Sequence, residues 1–513
     1  MNFSLRFPEA RRERRSVAGT IVCGVLLLLP SCQLPRLRQA EPAAIVPVGF
    51  NASDNSNATG PSDADSSAKV GVEDFFSDPA LTRLIQESLV GNRELKVLEE
   101  DIEIARYEVL RRRGAYLPFV GYRGGAGLDQ SSRFTRDGAV DAALDIRDGA
   151  PIHNPLPDIL TSFNIFWQLD IWKELRNARD AAALRYVAAI ERRNAFVTRL
   201  VAEVAENYYG LLALDQRQLT LDQNIKLQQQ NYDIAKAKFE AGRGTDLGVQ
   251  RFQAEIRRNQ SEKLIVRQEL VETENRINFR LGRFPQPVER TTGGFFDLEI
   301  HVLSAGVPAE LLLYRPDIRQ AERELNAAGL DVKVARAHFF PRLDLNANVG
   351  YRAFNPKYLF TPEAIIANVA ADLTAPLINK SAVKAEYLTA NARQLQSIYE
   401  YQRVILNAFA EVVNRISMAE NFRKSIEVRK QQLTALESSV EIATKLFQAA
   451  RAEYVEVLLA QRDLLEARTL LIDTKRQQLS AVVNAYQALG GGNSLSIPGE
   501  LPPLTRRQAN GKP

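Results

Sequence analysis

Residues 172–240 contain no proline, while Phe196, Leu200, Val204, Tyr208 and Leu211 recur at steps of three and four. Apolar residues at that spacing line one side of an α-helix, and proline is the residue that would break it. The stretch predicts one helix of about 70 residues, reaching roughly 100 Å at 1.5 Å per residue. "AGRG" (241–244) ends it, and a return helix is expected over 246–281. A rod that long cannot be wrapped by a globular core. It must lie against other rods.

The same plan is written twice. "ARYEVLRRRGAYLPFVGYRGGAG" (105–127) aligns with "AGLDVKVARAHFFPRLDLNANVG" (328–350) at an offset of 223, matching Pro118 to Pro341, Tyr116 to Phe339 and Gly127 to Gly350. Downstream the offset is 208: "AEV" (202–204) pairs with "AEV" (410–412), Phe239 with Phe447, and "LG" (281–282) with "LG" (489–490). The difference falls between the strands, where 128–160 is longer than its counterpart 352–363. Each half is expected to hold a helix (80–114; 315–338), a strand (117–128; 342–351), a loop, a second strand (162–170; 365–375), a long helix (172–240; 380–448), a turn and a return helix (246–281; 453–489). The two shorter helices of the first half reach roughly 50 Å each, so two end to end match one long one. None of these helices holds an 18-residue apolar run, so they suit an antiparallel sheath in water rather than membrane spans.

The strands alternate. In "RLDLNANVGY" (342–351), Leu343, Leu345, Ala347, Val349 and Tyr351 fall on one parity, and Asp344, Asn346 and Asn348 on the other. Val120, Tyr122 and Ala126 oppose Arg123. Phe163, Ile165, Trp167 and Leu169 oppose Asn164 and Gln168, with Phe166 breaking the pattern. Ile365, Ala367, Val369, Ala371 and Leu373 oppose Asn368 and Asp372. Taken alone, this pattern favours a four-stranded sheet half-buried on helices. Strands of about 9–11 residues also fit a bilayer, with lipid on one face and water on the other.

The N-terminus turns the argument toward the membrane. "RRERR" (11–15) precedes the apolar "IVCGVLLLL" (21–29), too short to span a bilayer and suited to a secretory signal. "LPSC" (29–32) resembles a bacterial lipobox, in which Cys32 would become the acylated first residue; Pro30 is an unusual occupant. Gln33, rather than Asp, follows that cysteine, which by the lipoprotein rule directs it to the outer membrane. Cys23 leaves with the signal, so the mature chain has no disulfide to form. Residues 51–69 read as a polar linker. In lipid the open edges of four strands are not tolerated. Two copies would give eight strands whose interior side chains fill, whereas three give twelve around a water-filled hole lined by Asp344, Asn346, Asn348, Asn368, Asp372 and Arg123.

Other function classes lack their residues. With 66 basic against 62 acidic side chains there is no bulk electrostatic case for nucleic acid. His153, His301 and His338 are scattered without metal-ligand spacing, so no metal and no cofactor is expected. No nucleophile elbow, phosphate-binding loop or metal-hydrolase motif suggests an enzyme.

"LLLYRPDIRQAERELNAA" (311–328) resembles the L-L-R-R-R-P-D-I-R signature of outer-membrane efflux lipoproteins of the TolC/OprM type, with Tyr314 in place of one arginine. "FFSDPALTRLIQESLVGN" (75–92), "WQLDIWKELR" (167–176) and "AYQALGGG" (485–492) are similar to family stretches in the same order. The resemblance implies a mainly α fold with a membrane β-barrel: a homotrimer with a twelve-stranded barrel and an α-helical periplasmic tunnel. It further implies a periplasmic adaptor (membrane fusion) protein and an inner-membrane pump of the RND type as partners. The chain then divides into a signal peptide (1–31), a lipidated polar linker (32–72), a first repeat (73–282), a connecting equatorial segment (283–313), a second repeat (314–490) and a tail (491–513).

With the strands in the outer membrane, the turns at 241–245 and 449–453 would lie deepest in the periplasm, where a tunnel needs a gate. The family's Y-L-D-V-L-D-A-Q-R appears as Tyr454-Val455-Glu456-Val457-Leu458-Leu459-Ala460-Gln461-Arg462. Glu456 keeps the first acid, Leu459 replaces the second, and Asp463 shares their helix side. Three copies of Leu459 would form an apolar ring that gates by dewetting. Tyr454 resembles a family tyrosine that latches neighbouring helices, and Asp246 would accept a bond from Arg462. An efflux duct is therefore expected. The alternatives are a type I protein-secretion duct on the same fold, which the R-P-D-I-R signature disfavours, and a coiled-coil lipoprotein without a channel.

Overall fold

A computed structural model describes residues 34–42, 47, 70–147, 149–291, 293–298, 300, 311–376, 378, 380–449 and 451–491. The expected signal peptide, Cys32, most of the expected linker, 301–310 and the tail past 491 lie outside the described residues. The elements run α1 (Val72–Phe76), α2 (Pro79–Gly91), α3 (Arg93–Ala115), β1 (Phe119–Asp129), α4 (Arg136–Ala143), a two-stranded ladder of β2 (Asp145–Arg147) and β3 (Ala150–Pro151), then β4 (Leu156–Leu169), α5 (Glu174–Glu240) and α6 (Asp246–Leu281). The second half runs α7 (Leu311–Tyr314), α8 (Pro316–Ala337), β5 (Arg342–Ala353), β6 (Ile365–Thr374), α9 (Ser381–Gln448) and α10 (Tyr454–Ala488). α5 and α9 contain 67 and 68 residues, as their unbroken periodicity predicts. Among the described residues no helix is long and apolar enough to cross a membrane.

Two expectations need correction. Residues 80–114 form two helices, not one. Asn92 sits between them in an extended conformation (φ −61°, ψ 126°). Its Oδ1 accepts from Leu95 N at 2.9 Å and its Nδ2 donates to the Arg280 carbonyl at 2.8 Å. A side chain that caps the next helix and binds a distant carbonyl outcompetes helix continuation. The insertion 128–160, expected as a loop, instead lengthens β4 back to Leu156 and carries α4, whose N-cap is Thr135.

The chain divides into two compact units. One comprises Leu110–Ala181 and Ala328–Gln396 with the described residues up to Ala40. Its four-stranded antiparallel sheet has the order β1-β4-β5-β6, so the two repeats meet at β4–β5 and strands β1 and β6 are left as edges. An apolar cluster of Val332, Ala335, Phe339, Tyr387 and Ala390 takes in Leu34 and Leu37. Arg38 N donates to Asn391 Oδ1 (3.0 Å) and Asn391 Nδ2 donates back to the Arg38 carbonyl (3.2 Å). Leu34, Leu37 and Arg38 are thus docked on α8 and α9.

The other unit comprises Glu41–Val109, Ala182–Ala327 and Ser397–Pro513. Its largest core gathers α1, α2, α5, α6 and α10 around Phe75, Leu200, Tyr208, Leu211, Ile277 and Tyr486, with Phe75 stacked on Tyr486 at 4.0 Å. The duplication is visible at its joints. Gly282 and Gly490 both end return helices at positive φ (72° and 91°). A Cβ on Gly282 would strike the Gly91 carbonyl, and one on Gly490 would approach the Tyr314 carbonyl to 2.8 Å. Only glycine meets both demands. Where Asn92 reaches the Arg280 carbonyl, Arg315 Nη1 reaches the Ala488 carbonyl at 2.7 Å, and these pairs stand at the offsets of 223 and 208.

Candidate functional site

The register places every alternating residue. Val120–Ile165–Ala347–Val369 and Tyr122–Phe163–Val349–Ala367 are cross-strand rows, and rows of this parity form one apolar face. Val369, 83 % exposed, and Leu373, 69 %, are left open by the described residues. The opposite face carries Asn164–Asn348–Asn368 in one row and Gln168–Asp344–Asp372 in another, with Asn346 between them. Directly paired residues point to the same side of a sheet. All six residues expected to line the lumen therefore share one face. Asn348 donates to Asn164 Oδ1, Asn346 Nδ2 donates to Asp372 Oδ2 at 2.7 Å, and Arg342 Nε donates to Asp344 Oδ2 at 2.8 Å. Arg123 stands on that face of β1 among Gly121, Gly125 and Gly127.

Aromatic rings sit at both ends of the apolar face. At one end Trp172 stacks on Phe340 (4.7 Å) and donates to the Pro341 carbonyl at 2.8 Å, while Trp167 donates to the Tyr116 carbonyl at 3.0 Å. At the other, Tyr351 meets Phe360 edge-on at 5.6 Å and Phe354 meets Tyr358 at 6.2 Å. From Leu345, level with Trp167, to Tyr351 is six residues, or about 20 Å of strand. An apolar band flanked by aromatic girdles is the pattern of a lipid-facing barrel wall. Beside the first girdle, His338 bridges Glu386 (2.9 Å) and Glu174 (3.3 Å). The Glu174 carboxylate chiefly, with Glu386 adding, raises its pKa to about 9 against the opposing effect of burial. The scattered histidines pointed to nothing in sequence, because both partners are distant along the chain.

The hairpin turns repeat each other. Arg243 N donates to the Lys238 carbonyl, and Arg451 N to the Leu446 carbonyl, each at 2.8 Å. Between the hairpins Ala235, Val249, Phe252, Phe447 and Val457 form a buried cluster that includes half-buried Tyr454. A Cβ on Gly248 would lie 3.3 Å from the Tyr454 ring, so Tyr454 packs closely against that glycine. Glu456, Leu459, Arg462, Asp463 and Asp246 are all exposed, with Leu459 at 53 %. Glu456, Leu459 and Asp463 thus share the outward side of α10. The expected Arg462–Asp246 bond does not form within the chain; Asp246 Oδ1 takes Gln250 Nε2 at 3.4 Å instead. Sequence reasoning missed Gln461. It lies one turn beyond Val457 on the buried side, 1 % exposed, with neither amide atom hydrogen-bonded. Asn231 is in the same condition. Unsatisfied buried amides cost about 1–3 kcal/mol each, so the apolar cluster is followed by a weak layer.

The R-P-D signature is structural. Arg315 is buried; it grips Asp317 (3.0 and 2.7 Å), Glu411 (2.9 Å) and the Ala488 carbonyl, tying the start of α8 to α9 and the end of α10. Burial lowers its pKa, but Asp317 and then Glu411 outweigh this and raise it.

An edge-open sheet with one greasy and one wet face, followed by duplicated helical hairpins, defines an outer-membrane channel of the tunnel-and-barrel class. The chain belongs to the outer membrane efflux protein family, whose pattern matches residues 84–283 and 307–491. It is 28 % identical over 469 residues to the cation efflux system protein CusC of Escherichia coli, covering 91 % of this chain and 97 % of that one. It is 26 % identical to the probable outer membrane lipoprotein SilC of Salmonella typhimurium, covering 92 % and 96 %. A solved structure of CusC superposes with a TM-score of 0.76 at 25 % identity, covering 90 % of this chain and all of that one. The open-state channel MtrE of Neisseria gonorrhoeae shares the fold, with a TM-score of 0.76 at 23 % identity over 90 % and 98 % of the two chains.

Proposed function

We propose that three copies of this chain close their sheets into a twelve-stranded barrel and serve as the exit duct of a tripartite efflux pump, with a periplasmic adaptor and an inner-membrane pump as partners. The observation that carries this is the pair of unpaired edges, β1 and β6, on a sheet with one apolar and one polar face. Lipid does not tolerate open strand edges, so the β6 edge of one copy meets the β1 edge of the next. Twelve strands leave a water-filled lumen where eight would not. The duct does no chemistry and selects little. In keeping with this, names among the relatives range from cation efflux (CusC) to toluene efflux (TtgI of Pseudomonas putida). A type I secretion duct is the second reading; the relatives' names favour efflux.

In this reading Asp344, Asn346, Asn348, Asn368, Asp372 and Arg123 line the lumen. Glu456, Leu459 and Asp463 face the pore at the periplasmic tip, with Arg462 and Asp246 available to a neighbouring copy. Cys32 carries lipid, and the docked Leu34 and Leu37 hold that end beside the sheet. The test is the mass of the purified particle together with its conductance in planar bilayers. A trimer that carries ionic current supports the duct. A monomer, or a trimer that never conducts even in gate variants, refutes it.

A further inference from the structure

Lys173 holds a strained backbone. In the short turn between β4 and α5 its φ is 59°, the left-handed region that glycine or asparagine ordinarily fills. The turn itself gives no reason for a lysine. Its backbone N–H donates to the Asp170 carbonyl at 3.4 Å, a bond that other residues make equally well. Its side chain is exposed and has no ion pair or hydrogen bond to any described residue. A side chain kept at the expense of backbone strain points to a role for that side chain.

The surroundings repeat the pattern. Trp172 stacks on Phe340, and Phe340 packs on the apolar cluster of α8 and α9 that also holds Leu34, Leu37 and Val383. Each of the four segments meeting there carries an exposed cation beside its apolar contact: Arg36 between Leu34 and Leu37, Lys173 after Trp172, Arg336 after Ala335, and Lys384 after Val383. None of these four side chains is ion-paired or hydrogen-bonded to a described residue. The acids close to them in sequence are already engaged. Asp170 holds Arg176 at 3.0 Å, and Glu174 and Glu386 share His338. Uncompensated positive charge therefore stands at one edge of the apolar band. Ile171 and Trp172, 54 % and 46 % exposed, mark that edge as the level where hydrocarbon gives way to headgroups. Lysine and arginine at such a level lay their stems along the apolar surface and reach the headgroups with their charge. The long helices leave the sheet at this end, so in the barrel reading the leaflet is the periplasmic one.

We propose that Arg36, Lys173, Arg336 and Lys384 form a cationic collar that gathers anionic phospholipids of the periplasmic leaflet around the first aromatic girdle. It rests on the barrel reading, since only there does the apolar band meet lipid. The collar is continuous with that band, so one lipid lays its acyl chains on the band while its phosphodiester meets a cation. Four cations on four segments are spread more widely than one headgroup, and the surface takes a layer of lipids rather than a single ligand.

Trp167 and Trp172 are the only tryptophans of the chain, and both lie in this girdle, so their fluorescence reads the lipid beside the collar. The purified full-length protein is reconstituted in phosphatidylcholine vesicles containing a minor fraction of dibrominated phosphatidylglycerol or of dibrominated phosphatidylcholine, whose bromines quench tryptophan on contact. At equal mole fraction the glycerol lipid is expected to quench as though enriched about fivefold, the enrichment that one cation near the headgroups supplies. High salt removes most of this difference. K173Q/R336Q/K384Q brings the two lipids level, whereas K357Q, which removes an exposed cation at the opposite girdle, leaves the enrichment intact. K173G relieves the backbone, and so folds at least as well as wild type while losing part of the enrichment. Equal quenching by the two lipids in wild type, or full enrichment in the triple variant, overturns the collar. Quenching by brominated phosphatidylcholine reports separately on the barrel: its absence rejects the barrel reading, and its presence without a preference for the anionic lipid rejects the collar alone.

Discussion

Placing an arginine at Ala347 and another at Asn346 compares the two faces of one strand at adjacent positions. Ala347 lies in the row Ile165–Ala347–Val369, midway between Leu343 and Tyr351 and inside the aromatic girdles. On a lipid-facing wall, arginine at that depth costs about 2–4 kcal/mol per copy. At 1.4 kcal/mol per decade, this shifts the folding equilibrium by roughly 30- to 700-fold. Asn346 points the other way. Its replacement loses one hydrogen bond to Asp372, about 1 kcal/mol, and places a cation beside Asp344 and Asp372, which offsets part of that loss. The expected gap between N346R and A347R is therefore at least about 1 kcal/mol, with A347R the less stable. Urea unfolding of each variant in lipid vesicles, followed by tryptophan fluorescence, measures it. Equal destabilisation, or a larger effect of N346R, would mean that the odd-numbered face does not meet lipid, and the barrel assignment would fall.

At the tip, Leu459→Asp is expected to raise resting single-channel conductance by wetting the ring and adding three like charges, and Glu456→Gln to weaken cation preference without opening the pore. Unchanged conductance in Leu459→Asp would misplace the gate. Arg315→Met strands Asp317, Glu411 and the Ala488 carbonyl, and about 3–5 kcal/mol of stability should vanish in urea titrations; a loss below about 1 kcal/mol would deny the joint its role. His338 has a folded-state pKa of about 9, above its ordinary 6.5, so its contribution is fully present below pH 6.5 and is lost as pH rises through 9. His338→Gln should accordingly flatten the stability profile across that window, as melting temperatures at pH 6, 8 and 10 would reveal. Mass spectrometry of the mature N-terminus should find an acylated Cys32, and a free amine at any other residue would rule out the lipid anchor.

Local periodicity was enough to determine the long helices and the four long strands, though not the break at Asn92 or the helix within 128–160. The bounds expected for α5, α6, α9 and α10 lie within two residues of those observed, because a 3.6-residue repeat sustained over 35 to 68 residues admits one backbone and because glycine marks the first turn. The two-residue alternation likewise assigned the faces of four strands, since antiparallel pairing leaves each parity on its own side. The duplication was legible too, though its reason was not. Gly282 and Gly490 match in sequence, but only the fold shows a carbonyl passing each of them. What sequence could not reach depends on contacts between distant segments. Asn92 ends a helix because Arg280 lies beside it, 188 positions away. Arg315 reads as a signature residue until it meets Ala488 at a separation of 173. The exception at Phe166 looked like noise in one strand, and became a pair with Phe119 only when the β1–β4 register was set. The docking of Leu34 and Leu37 inside a segment that reads as linker needs a cluster assembled from α8 and α9. Short-range pattern sets backbone conformation, whereas the partner of a side chain is chosen by whatever the tertiary fold brings within a few ångströms of it.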